Sequence, residues 1–140
     1  LYAGLLQEPF YAYKLPVAAS LGSSGFFGGH ELTHGFDSKG REFDATGKMS
    51  KWWTPNDIAQ FTMKAQCFVR QYSEIYDQEA EEPLSGTRTE VENIADNGAI
   101  SAILLTLHNI LTTTPQADVK LPGLESRSPR ELLFLAYANV

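Results

Sequence analysis

His30 and His34 stand four positions apart with Glu31 directly after the first, so His30-Glu31-Leu32-Thr33-His34 offers two imidazoles and a carboxylate at fixed spacing. On an α-helix, residues four apart share a face about one turn apart, and both imidazoles can reach one Zn²⁺. Zinc accepts neutral imidazole nitrogens, and a catalytic zinc site keeps one position for water. Glu31 would then point beside the metal, where it can take a proton from that water, whose pKa zinc lowers toward about 7. The same ion can polarise a scissile carbonyl. With 3 histidines in 140 residues, chance alone produces this pattern in roughly one such chain in two hundred. The plain alternative is a solvated helix face with two histidines and an acid. Phe26, Phe27, Leu32 and Phe36 surround the motif, and a solvated face is not built of such residues.

Two histidines need a third ligand. The extension H-E-x-x-H-x-x-G-x-x-H is excluded, because Asp37 and Gly40 stand where it requires Gly and His. A glutamate in the window a little downstream is excluded too, because Lys51, Trp52, Trp53 and Thr54 occupy it. The best remaining candidate is Glu92, in Glu92-Asn93-Ile94-Ala95-Asp96. Glu92 and Asp96 again share a helical face, so Glu92 could bind the metal while Asp96 accepts a hydrogen bond from a ligand histidine and fixes its tautomer. Spacing alone leaves a second reading equally open, in which Glu92 belongs to a helix cap and Asp96 is a solvated acid.

These groups need helices to carry them. Residues 20–36 are apolar and glycine-rich, and Gly22, Gly25, Gly28 and Gly29 each lower helix propensity by roughly 1 kcal/mol relative to Ala. A helix here must be held by tertiary packing, with the glycines admitting close neighbours. Upstream, residues 5–13 alternate loosely and are rich in aromatics, which predicts an edge strand or extended arm around Pro9. Residues 37–47 read as a turn, a short strand and a second turn. A helix then starts at Thr54-Pro55 with Asp57 in its first turn, and Ile58, Phe61, Ala65, Phe68, Val69 and Tyr72 recur at helical spacing toward Tyr76. The acidic stretch 79–86 contains Pro83 and reads as a surface loop. Thr87 with Glu90 and Thr89 with Glu92 have capping-box spacing and open a long helix through Ile94, Ile103, Leu107, Ile110 and Leu111. His108 on it reads as a surface histidine or one satisfied within the helix. After a loop over 112–123, Ser128-Pro129-Arg130-Glu131 opens a last helix. The class is mainly α with minor β.

A net charge of -6 argues against a nucleic-acid partner, because phosphate neutralisation needs clustered Lys and Arg. No apolar run reaches the roughly eighteen residues that read as a membrane helix. The single cysteine, Cys67, reads by residue preference as a buried thiol, or else as half of a disulfide whose partner lies outside this chain. The chain begins at Leu1 without Met and ends at Val140 just after an apolar run. Those ends are expected of a piece of a longer polypeptide, with residues 1–140 a partial domain that is incomplete at both ends.

Taken together, the motifs resemble the neprilysin and endothelin-converting-enzyme family of zinc endopeptidases over nearly the whole chain. Gly29-His30-Glu31-Leu32-Thr33-His34-Gly35-Phe36-Asp37 resembles the zinc helix. Gly40-Arg41, Phe43-Asp44, Gly47 and Trp52-Trp53 resemble the segment after it, and Cys67 with Gln71-Tyr72 the next helix. Residues 92–98 resemble the third-ligand motif, and residues 3–10 and 121–124 are also similar. There are local departures. Glu90-Val91 stand where the family has Leu-Gly, Gly98-Ala99 where it has Gly-Gly, and Ser20 where it has Asn.

The resemblance implies part of a thermolysin-like zincin catalytic domain with the zinc site on two helices. It implies one Zn²⁺ per chain, with His30, His34 and Glu92 as ligands, Glu31 as general base and Asp96 as support for a ligand. Asp37 is a further support candidate, its competing role being an Asx-turn that ends the zinc helix. The implied activity is cleavage of peptide substrates on the amino side of hydrophobic residues, by Glu-assisted attack of zinc-bound water. The implied setting is extracellular, on a membrane-anchored or secreted parent, with Cys67 disulfide-bonded to a cysteine outside this chain. The family's transition-state histidine and substrate-holding arginine fall beyond Val140, and its substrate-binding strand before Leu1. That leaves as alternatives a catalytically inactive or truncated homologue that binds zinc or peptide, and a purely structural helical domain.

Overall fold

Gly22, which weakens any isolated helix, is where one helix receives another. The computed structural model describes residues 2–140, so Leu1 lies outside it. Its helices are α1 (Val17–Ser20), α2 (Phe26–His34), α3 (Pro55–Ser73), α4 (Glu90–Thr113) and α5 (Pro129–Tyr137), with a ribbon of β1 (Tyr76–Asp77) and β2 (Glu82–Pro83). The expected class, mainly α with minor β, is the one observed. The chain divides into two units, Leu1–Glu31 with Gly98–Val140, and Leu32–Asn97. The divisions fall inside α2 and α4.

In the first unit, α1 widens into a π-helical turn at Leu21–Gly25 before α2 begins. A Cβ on Gly22 would overlap the Leu133 carbonyl of α5, and one on Gly29 would press on Ala99 of α4. Two glycines with a low helix propensity thus let three helices approach, as expected of a helix held by packing. Ala18, Ala19, Phe26, Ala99, Ile103, Leu107, Leu132 and Leu133 form one apolar core, with Leu133 fully enclosed. Ser23, buried in the widened turn, donates its hydroxyl to the carbonyls of Ala19 at 2.9 Å and Phe10 at 2.6 Å. The capping box of α5 forms in both directions between Ser128 and Glu131.

The arm before α1 corrects the expected strand. Residues 5–13 adopt turns, in which the Phe10 and Tyr11 amides donate to the Gln7 carbonyl. A lone extended segment leaves its backbone groups to water, whereas these turns satisfy them locally.

In the second unit, Thr54 and Asp57 make a complete capping box, and Pro55 occupies the first turn of α3. Ala65 is buried, and Ile58, Phe61, Phe68, Val69 and Tyr72 are half-buried along the same side. The helix ends at Ser73, and Tyr76, expected to continue the stripe, instead pairs with Pro83 across the ribbon. The Asp77 carboxylate accepts the amides of Glu79 and Ala80, tightening the turn between the strands. The expected loop 79–86 is therefore half of a hairpin. Residues 37–47 hold a 3₁₀ turn (Gly40–Glu42) and a single bridge from Phe43 to Met49 instead of a strand. Within it Asp44 accepts the amides of Thr46 and Lys48, and Gly47 takes φ +77°. Cys67 is exposed and free, contrary to the buried thiol that residue preference suggests. It follows the inward Ala65 by two positions, about 200° around the helix.

Trp52 and Trp53 meet edge to face, Trp53 meets Phe61 likewise, and the Arg41 guanidinium lies 6.0 Å from the Trp53 ring centre and 5.6 Å from that of Phe61. By length and composition α4 could cross a membrane, yet core helices meet the same test. Here Ala99, Ile103 and Leu107 sit in the core of the first unit, and the same helix carries Asn93, Asp96 and Asn97.

Candidate metal centre

His34 is the last residue of α2, and the chain after it folds straight back. A Cβ on Gly40 would overlap the His34 carbonyl, so only glycine allows the return. Asp37 fastens this turn. Its Oδ1 accepts the amides of Lys39 at 2.8 Å and Gly40 at 2.7 Å, while its Oδ2 lies 2.7 Å from Nδ1 of His34. One carboxylate thus makes both the Asx-turn and the contact to the imidazole, roles that the sequence left as alternatives. Asp37 is only 3% exposed. Burial pushes its carboxyl pKa up, but the Gly40 amide, the His34 imidazole and the Lys39 amide together outweigh burial and hold it below the ordinary value.

That contact settles the tautomer chemically. A carboxylate only accepts, so the imidazole proton belongs on Nδ1, and Nε2 presents a lone pair in the neutral ring. Nε2 faces Oε2 of Glu92 at 3.5 Å. Two acceptor atoms facing each other call for a cation between them, either a proton on the imidazole or a metal ion. The donor set, imidazole nitrogen with carboxylate oxygen, suits zinc. The His34 side chain is 29% exposed and that of Glu92 58%, so the pair opens to solvent.

His30 lies one turn earlier on α2, half-buried, with its ring 6.1 Å from that of Phe26. Together with His34 and Glu92 it makes up a candidate His/Glu metal-binding group. Glu31 is exposed, and Asp96 is half-buried one turn beyond Glu92 on α4. His108 lies far along α4 with an exposed side chain.

A further link was not anticipated. The hydroxyl of Ser38, in the turn after α2, donates to Oε1 of Glu90 at 3.0 Å. Thr89, at the start of α4, gives its hydroxyl to the Ser85 carbonyl and accepts from the Asn93 side-chain amide. The only signal for the Ser38 contact in the sequence is the acid at position 90, where the resembled family carries an apolar residue.

The model of Peptidase family M13 matches residues 1–140. Neprilysin-1 of Caenorhabditis elegans is 36% identical over 138 residues, which cover 99% of this chain and 18% of that protein. Endothelin-converting enzyme 1 of Mus musculus is 41% identical over 138 residues, covering 99% of this chain and 17% of that one. Among solved structures, the zinc metalloprotease Zmp1 of Mycobacterium tuberculosis in complex with inhibitor superposes with a TM-score of 0.83 at 29% identity, over 97% of this chain and 21% of that one. A Haemonchus galactose-containing glycoprotein complex superposes at 0.88 with 32% identity, over 99% of this chain and 22% of that chain. The chain thus spans less than a quarter of the length of each of these proteins.

Proposed function

The chain belongs to Peptidase family M13, and from that premise we propose that it carries the metal-binding and proton-transfer centre of a zinc-dependent endopeptidase. The observation that carries this reading is His34, with Nδ1 committed to Asp37 and Nε2 turned toward Glu92. His30, His34 and Glu92 hold the zinc ion. Asp37 keeps the His34 ring in the tautomer and orientation that ligation requires, and Asp96 does the same for a ligand histidine. When bound, zinc polarises the scissile carbonyl and makes water acidic enough to attack near neutral pH.

Glu31, exposed beside the first histidine, is the general base. It takes the proton of the attacking water and returns it to the leaving nitrogen, so one carboxylate serves both halves of the reaction. The substrates are peptides cut on the amino side of hydrophobic residues, a preference that rests on the family resemblance. Residues 1–140 form part of the catalytic domain of an extracellular protein, anchored in a membrane or secreted. The exposed position of Cys67 on α3 suits a disulfide to a cysteine outside this chain.

The test compares wild type with Glu31→Gln in the protein expressed from its natural coding sequence, by metal analysis and peptide hydrolysis. Both should hold zinc, and the variant should lose about a hundredfold to ten-thousandfold in turnover. Equal hydrolysis by the two proteins, or wild type that binds zinc without cleaving, would sink the endopeptidase reading.

A further inference from the structure

Glu92 sits in the first turn of α4, where backbone amides lack partners within the helix and the end tends to fray. A metal ligand placed there needs an anchor. Glu90, two residues earlier in the same turn, accepts the Ser38 hydroxyl at 3.0 Å, and Ser38 directly follows the carboxylate that orients His34. The bond therefore joins the turn that fixes His34 to the helical turn that carries Glu92. An acid at position 90 also complements the helix N-terminus by its charge alone. That role would not require an oxygen to be spent on a hydroxyl from the other segment.

We propose that the Ser38–Glu90 pair is a positioning device of this chain, holding the first turn of α4 in register with the turn after α2 so that Glu92 and His34 meet one ion. The proposal rests on the zinc reading above and concerns how long the ion is retained. Neither residue belongs to the candidate ligand group of His30, His34 and Glu92. Glu90 stands where the resembled family has Leu, which has no oxygen to accept a hydroxyl, so the directional contact is this chain's own. A hydrogen bond fixes both distance and angle, whereas an apolar contact allows sliding.

The experiment uses the protein expressed from its natural coding sequence, loaded with zinc, in wild-type form and as Ser38→Ala, Glu90→Leu, Glu90→Gln and the Ser38→Ala/Glu90→Leu double variant. The readouts are the rate of zinc transfer to a chromogenic chelator and the thermal midpoint of each metal-free protein. Ser38→Ala and Glu90→Leu should each release zinc about threefold to tenfold faster, and the double variant no faster than the worse single one. Glu90→Gln keeps the accepting oxygen and should stay within about twofold of wild type. Metal-free midpoints should be unchanged.

Wild-type release rates in Ser38→Ala and Glu90→Leu would overturn the proposal, as would effects that multiply in the double variant. Loss in Glu90→Gln equal to that in Glu90→Leu, with Ser38→Ala silent, would reduce Glu90 to a helix-end charge. Faster release that only tracks a lowered metal-free midpoint would reduce the bond to an ordinary structural one. A wild-type protein that takes up no zinc would instead sink the metal reading itself, and this inference with it.

Discussion

The two units bury different things. The unit Leu1–Glu31 with Gly98–Val140 encloses mainly hydrocarbon, with Phe26, Ile103, Leu107, Leu132 and Leu133 packed among alanines and Ser23 as its buried polar side chain. In Leu32–Asn97 the buried apolar side chains are Ala65 and Ala95, and Asp37 and Asn93 are buried beside them. Enclosing a leucine is worth about 1.5–3 kcal/mol, whereas a net hydrogen bond contributes about 0.5–1.5 kcal/mol. The first unit therefore holds most of the enclosed hydrocarbon, and it also carries His30 and Glu31 at its edge. The second spends its interior on directional contacts, the kind that hold an imidazole at a set angle. The contacts of His34 with Asp37 and Glu92 lie wholly in the second unit, so substitutions test how far stability and ligand geometry separate.

The largest effect belongs to the hydrocarbon side. Leu133→Ala should cost about 2–5 kcal/mol in denaturant unfolding, and a loss below about 1 kcal/mol would break the contrast. Next come the two close-approach glycines. Gly22→Ala and Gly40→Ala each force a methyl into a backbone carbonyl, of Leu133 and His34 respectively, at a cost of about 1–3 kcal/mol. The first should appear chiefly as a lower thermal midpoint. The second should appear chiefly as faster zinc loss, and a swap of the two signatures would refute the division of labour.

A smaller change is expected for Asp37→Asn, because asparagine can keep the turn but cannot accept a charge-assisted bond in the same way. Zinc affinity should fall about tenfold to a hundredfold by competition titration, with the midpoint of the metal-free protein nearly constant. Smallest are the caps. Thr54→Ala in one unit and Ser128→Ala in the other should each cost about 1 kcal/mol in chemical unfolding. Unequal losses would show that the units also differ in how tightly their helix ends are held.

Features made by neighbours in sequence were readable from it. Thr54 with Asp57 and Ser128 with Glu131 set their helix starts because a cap is a contact across three residues. His30 and His34 share a face because one helical turn spans their separation. What escaped was made across distance or by default. Residues 5–13 carry a strand-like pattern but adopt turns. The ribbon at Tyr76 depends on a partner, Pro83, that reads as loop. The widened turn at Leu21–Gly25 has no signature beyond its glycines. The approach of Glu92 to His34 was open on spacing alone, and the Ser38–Glu90 bond joins segments whose separation no periodicity encodes.

The paired indoles carry a practical corollary. The chain has 2 tryptophans, and both Trp52 and Trp53 lie in Leu32–Asn97. Fluorescence excited at the red edge of protein absorption, where tyrosine is transparent, therefore reports on that unit alone. The cation beside Trp53 makes its emission sensitive to any shift of Arg41. Helical circular dichroism samples both units. Superposed with emission during heating, it would show whether the hydrocarbon-rich unit and the tryptophan-bearing one melt in a single step or in two.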